Sequence, residues 1–332
     1  MKPPPRPSAR MRRRPRGMTL VELLVAMTLG LLITLAATAA LVAARRGFTT
    51  VDAASQLRDN ARFATSLIQR LVVQAGYRDV FNVTTKRSNA AGTSADPDPY
   101  VYGFDNAVAS KTSVTSADPR SDDSLGYFGD VLILRSQPTE TYPGSGKADK
   151  GMIDCSGFAA DTPPANRDDT RASVLFVSPS SSDGEPTLKC YRSATGTVPF
   201  DQAVPLIRGV ENFQVLYGVD GVVANTAIDP ANAALKPDTV PDSYLRADQL
   251  TVAGNDTATR ANWRRVRSLR IGMVLRSDVG AAQESKTKTL YPLGSSGFSS
   301  TDDIGTIYTA PADGRVRQVV TFTVHLRNDQ GL

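Results

Sequence analysis

The sequence predicts an α+β protein: one long N-terminal helix, its first half apolar enough to lie in lipid, followed by a β-rich head with long loops. Three observations carry this expectation. Residues 18–44 are apolar apart from Glu22 and a few threonines, long enough to cross a hydrocarbon core of about 30 Å at 1.5 Å per residue. From Val51 to Ala75 apolar residues recur at three- and four-residue steps, the stripe of an amphipathic helix. Beyond residue 128, runs rich in β-branched and aromatic residues alternate with turn-forming stretches, the pattern of strands with one face buried.

Residues 1–17 are different in kind. They hold seven basic residues (Lys2, Arg6, Arg10, Arg12, Arg13, Arg14 and Arg16), no acid, and prolines at 3, 4, 5, 7 and 15. The stretch closes on Gly17, and one acid, Glu22, follows five residues later inside the apolar run. An ionisable group in a membrane span is costly, which makes Glu22 a candidate functional residue. A secretory signal would put a small-residue cleavage site after a shorter apolar region, whereas here the glycine precedes a longer one. Basic residues beside a span stay on the cytoplasmic side, so the body from Arg45 onward is expected to be exported.

No proline occurs between Arg16 and Asp96. Residues 18–75 are therefore expected as one helix, with Val51, Ala54, Leu57, Ala61, Ala64, Ile68, Leu71 and Ala75 on its packing face and Gly76 as its stop. The boundaries that follow are a basic leader at 1–17, a membrane half-helix at 18–44, an amphipathic half-helix at 45–76 and a head at 77–332. Residues 77–128 read mainly as a polar loop, with a short extended piece at 100–104. Strands are expected at 130–135, 172–177, 188–192, 211–219, 266–276 and 315–326, separated by loops at 136–171, 220–262 and 277–314.

Composition narrows the chemistry. The formal charge of +5 comes from 38 basic and 33 acidic residues. Without the seven basic residues of the leader, 31 basic against 33 acidic residues leave about −2. That balance argues against a general phosphate-binding surface, so nucleic acid is not an expected partner, although Arg264, Arg265, Arg267 and Arg270 could form a local patch. Two cysteines in an exported body, Cys155 and Cys190, read as one disulfide, with two free thiols the alternative. There is no P-loop, no HExxH and no nucleophile-elbow pentapeptide. Glutamate is confined to positions 22, 140, 185, 211 and 284, and the single histidine, His325, sits in a strand pattern. The pairs Asp96/Asp98, Asp122/Asp123, Asp168/Asp169 and Asp302/Asp303 could offer oxygens to Ca²⁺ but lack its regular ligand spacing and read as solvated loop. No catalytic residue, metal, cofactor or small-molecule substrate is expected.

Gly17-Met18-Thr19-Leu20-Val21-Glu22 and the apolar run behind it resemble the type III signal of type IV prepilins and type II secretion pseudopilins. The usual residue after the glycine is Phe, and Met18 departs from it. Within the superfamily the body resembles the PilW family of minor pilins, through residues 57–64, the junction at 75–78, and segments 206–220, 263–271 and 322–328.

The resemblance implies cleavage by prepilin peptidase between Gly17 and Met18, with N-methylation of Met18. It implies a long helix packed on an antiparallel β-sheet head, and a Glu22 carboxylate that meets the methylated amine of a neighbouring subunit during assembly. The corresponding function is a non-catalytic subunit that helps start or cap a type IV pilus with other minor pilins and the major pilin. It would be held in inner-membrane lipid by a single pass, with its head in the periplasm. The alternatives are a J-type minor pseudopilin of type II secretion and a DNA-uptake pilus subunit.

Overall fold

The computed structural model describes residues 17–79, 98–115, 129–165, 169–194, 199–232, 236, 238–282, 285–294 and 307–328. Residues 1–16 of the leader, most of the 77–128 loop, and Asp96, Asp122, Asp123, Asp168, Asp302 and Asp303 lie outside them. The chain divides into two compact units, Met1–Thr49 and Thr50–Leu332, and helix α1 (Leu20–Gln74) contributes to both.

In the first unit the helix begins at a side-chain cap. The Glu22 N–H donates to the Thr19 hydroxyl at 3.3 Å, and the Leu23 N–H donates to the Thr19 carbonyl at 3.1 Å. Thr19-Leu20-Val21-Glu22 thus has the residue pattern of a capping box. The other threonines of this apolar stretch hide their hydroxyls in the backbone. Thr28, Thr34 and Thr38 each donate to the carbonyl three residues earlier, at 2.9 Å, which satisfies the hydroxyl within the helix itself. The large apolar side chains from Met18 to Val42 are between 46% and 74% exposed. A solvated helix would not present such a surface on all sides, and lipid or other helices must cover it.

The second unit is α+β. Its strands are β1 (Val101–Phe104), β2 (Val108–Ala109), β3 (Val114–Thr115), β4 (Val131–Ser136), β5 (Arg171–Pro179), β6 (Pro186–Ser193), β7 (Val204–Arg208), β8 (Val210–Val219) and β9 (Ser243–Leu245). A short helix α2 (Asp256–Trp263) precedes β10 (Val266–Arg276), and β11 (Lys288–Leu290), β12 (Tyr308–Ala310) and β13 (Arg317–His325) follow. The order β1-β4-β5-β6-β7 makes one antiparallel sheet and β13-β10-β8-β9 a second; β11-β12 and β2-β3 are small ribbons. The expected antiparallel β-structure is thus divided between two main sheets.

The chain changes sheets at a single residue. β7 ends at Arg208, β8 begins at Val210, and Gly209 between them has φ +83°. Asp130 ties the sheets again, just before β4. Its N–H donates to the Phe213 carbonyl at 2.7 Å, and its carboxylate accepts from the Val215 N–H at 2.7 Å.

One core joins the second half of α1 to both sheets. Leu57, Ala61, Ala64, Ile68, Leu71 and Val72 cluster with inward residues of β4, β5 and β6 and with Phe213, Val215, Tyr217, Leu269, Ile271 and Met273. The expected stripe is realised from Leu57 onward, whereas Val51 is 70% exposed. Strands β4, β5 and β8 are buried on both faces. Behind β4 and β5, Val131, Ile133, Val174 and Phe176 form a second cluster with Phe200, extended by Tyr191 stacked on Phe176 at 4.6 Å. Behind β10, Val274 meets Leu290 and Ala310 of the β11-β12 ribbon.

Candidate functional site

The residues singled out in the sequence fall at two places, described separately. At the helix start, a Cβ built on Gly17 would meet nothing within 4 Å, and Met18 is 65% exposed. Among the described residues nothing crowds the Gly17–Met18 bond. Glu22 lies in the first turn of α1, exposed, with its backbone N–H held by Thr19. An acid in that position complements the positive end of the helix dipole. Among the described residues its carboxylate makes no ion pair.

In the head, Cys155 and Cys190 form the disulfide, with their Cα atoms 6.3 Å apart and the two residues 35 positions apart in sequence. The bond fastens the long segment between β4 and β5 to strand β6. That segment is built around its own acids. Glu140 accepts from the N–H groups of Gly144 and Gly146 at 2.9 and 2.6 Å, and Asp154 accepts from those of Ser156 and Phe158 at 2.8 and 3.0 Å. The described acids of the paired clusters are similarly engaged: Asp98 pairs with Arg260 at 3.2 Å, and Asp169 accepts from the Ala165 N–H at 3.0 Å. Among the described residues no group of three or more His, Cys, Asp or Glu side chains could hold a metal.

The arginine patch is smaller than the sequence allows. Arg264 and Arg265 occupy the turn before β10, and Arg267 is bound to the buried Asp220 at 3.2 Å. His325 is exposed at the last position of β13.

The sequence reading missed the most connected charged assembly. Glu185, before β6, accepts from Arg276 at 2.7 Å and from Arg315 at 2.8 Å. Glu211 of β8 accepts from Arg276 at 2.8 Å and from Arg317 at 2.6 Å. Asp313 takes Arg317 at 2.6 Å. Three guanidiniums thus face three carboxylates across the ends of both sheets. Burial opposes ionisation of Glu185 and Asp313, but the arginine hydrogen bonds overcome it and hold both carboxyls below their ordinary values. Burial and the Glu211 charge push the neighbouring Tyr308 hydroxyl well up. The available signal was the presence of Glu211, Arg276 and Arg317 at the ends of otherwise apolar strands.

Among the described residues neither place brings together a nucleophile, a base and oxyanion donors. What the geometry offers is an accessible glycine junction, an uncovered apolar helix and a braced β head. Residues 12–38 match the prokaryotic N-terminal methylation motif, and residues 174–328 match the family described as type IV pilus-assembly protein W. Among solved structures, a type IV-like pilin from Thermus thermophilus aligns at 13% identity and a TM-score of 0.39, over 82% of this chain and 98% of that one. A search of curated proteins returns no matching relative. With the methylation motif at the helix start and the family match running from β5 past β13, the chain resembles PilW-type type IV pilins at its helix start and through the latter part of its head.

Proposed function

We propose that the chain is a minor pilin, a non-catalytic structural subunit that helps initiate or cap a type IV pilus together with other minor pilins and the major pilin. The observation that carries this is the uncovered apolar helix behind an open Gly17–Met18 junction, joined in one chain to a PilW-like head. Prepilin peptidase would cut after Gly17 and methylate Met18. Before assembly the subunit would be held in the inner membrane by residues 18–44, with its head in the periplasm. The role proposed for Glu22 follows from electrostatics. Cleavage creates an ammonium at Met18, and in lipid a carboxylate and an ammonium each lack hydration. A pair between subunits stabilises both, while either alone is penalised.

A deletion strain tests the reading when surface pili and secreted enzymes are measured side by side. Loss of pili with normal secretion is expected. Loss of secretion with normal pili would assign the chain to a type II secretion pseudopilus instead.

A further inference from the structure

Strand β13 is the outer edge of the second sheet, and it is built unlike the other main-sheet edges. β1 and β9 are four and three residues long, and β7 carries Pro205. Short edges and edge prolines keep a sheet from recruiting foreign strands. β13 has neither device. It runs nine residues, pairs with β10 without a register shift, and contains no proline or lysine. Alternate residues of such a strand point their backbone N–H and C=O groups away from the partner. Among the described residues no strand pairs with that side.

Beside this edge lies a groove of about 490 Å³, bounded by α1 from Arg58 to Gln69 and by β13 from Gln318 to Thr321. On the helix side it includes the small residues Ala61, Thr65 and Ser66, which leave width for an extended chain. Its charge is one-sided. Among the described residues Arg58 and Arg62 line it and no carboxylate does; Asp59, which pairs with Arg62 at 4.0 Å with both side chains largely exposed, is not part of the lining. Val320 and Phe322 pack against the core yet stay half-buried, leaving apolar surface that an added strand would cover.

We propose that this edge receives an extended acidic segment of a partner protein, which adds to β13 as a further strand and places a carboxylate against Arg58 and Arg62. Backbone pairing supplies the affinity of such a contact, and the flanking side chains supply its selectivity. The inference is independent of the pilin reading, because it rests on the sheet edge and the basic groove alone.

The test uses the full chain in detergent micelles and a synthetic peptide matched in length to β13, alternating valine and threonine with glutamates interspersed. One control peptide carries lysine for glutamate, and another has a central proline. By fluorescence anisotropy the glutamate peptide is expected to bind, with both controls weaker by roughly tenfold or more. Hydrogen exchange should slow across residues 317–325. The double variant Arg58→Glu/Arg62→Glu should reverse the preference between the charged peptides. Both arginines are exposed, so this variant should unfold at the wild-type temperature. Equal binding of the acidic and lysine peptides, protection confined to other segments, or no binding by any peptide would overturn the proposal.

Discussion

Arg317 grips Glu211 through two parallel hydrogen bonds, Nε to Oε2 at 2.6 Å and Nη2 to Oε1 at 3.0 Å. Both side chains are almost fully buried, at 5% and 3% exposure. The two residues lie on β13 and β8, the outer and third strands of the second sheet, and Arg276 of β10 between them also reaches Glu211. Removing one partner of a buried pair leaves the others charged and uncompensated. Glu211→Ala is therefore expected to destabilise the head by about 3–5 kcal/mol. Thermal unfolding followed by Trp263, the chain's single and fully buried tryptophan, measures it. A cost below about 1 kcal/mol would reduce the network to the rank of surface ion pairs.

The same network makes the head sensitive to acid. Burial would raise the Glu185 carboxyl, but Arg276 and Arg315 hold it below its ordinary 4.5; Arg317 does the same for Asp313 against 3.8. As pH falls, the unfolded chain takes up these protons before the folded head does. The stabilisation is complete above the ordinary values and is lost as pH drops below them through the folded ones. Unfolding temperature should be flat between neutral pH and about 5, then fall. Glu185→Gln should lower the neutral-pH value and shallow the acid decline, and an unchanged decline would place the sensitivity elsewhere.

Gly209 permits the step from one sheet to the other. Its φ of +83° is one that L side chains avoid, and an added Cβ would lie 2.6 Å from the Arg276 carbonyl oxygen. The Arg276 N–H donates to the Gly209 carbonyl at 2.7 Å, so neither segment can withdraw cheaply. Gly209→Ala is expected to cost about 1–3 kcal/mol. The same unfolding measurement decides it, and a stabilised variant would show that the turn relaxes.

How much of this was legible follows from the kind of signal each element leaves. The helix was readable because hydrophobic period and absent prolines are local facts, and Leu57 to Ala75 pack as that period requires. β10 was bounded correctly from its sequence at Val266–Arg276. The short strands β9, β11 and β12 were missed because three residues give no period to detect. α2 was missed for a related reason. It is eight residues of mostly polar sequence, started by Asn255, whose side chain accepts from the Ala258 N–H. Two sheets were not distinguished from one because β7 was missed as well, so no strand was expected to end at Gly209 where the chain changes sheets. The arginine–carboxylate network depends on residues more than a hundred positions apart, such as Glu185 and Arg315, and no local pattern records that meeting.

The disulfide is structural in this arrangement. Both cysteines are buried in the core, at 3% and 0% exposure, and the Cys155 N–H is also held by the Ser173 hydroxyl at 3.0 Å. Closing a loop over a separation of 35 residues is worth roughly 3–4 kcal/mol in the chain-entropy model. Reduction, or a Cys155→Ser/Cys190→Ser double variant, should lower the unfolding temperature of the head while leaving cleavage at Gly17 unchanged. Equal mature protein levels and equal unfolding temperature in the double variant would make the bond dispensable.

Two roles meet at Glu22, and one substitution separates them. The residue stands three positions after the capping Thr19, where either glutamate or glutamine completes a capping box. It is also the acid proposed to meet a neighbour's Met18 ammonium, a role that glutamine cannot fill. Glu22→Gln therefore preserves the cap and removes the charge. If the charge matters, Glu22→Gln and Glu22→Ala should both be cleaved at Gly17 and N-methylated, and both should fail to enter pili when each is the sole copy. If capping matters, Glu22→Gln should assemble as wild type and only Glu22→Ala should fail. Thr19→Val supplies the reverse case, since it removes the hydroxyl at a cost of about 1 kcal/mol in helix stability and leaves the carboxylate in place. Assembly by Thr19→Val together with exclusion of Glu22→Gln would assign the residue to inter-subunit charge pairing.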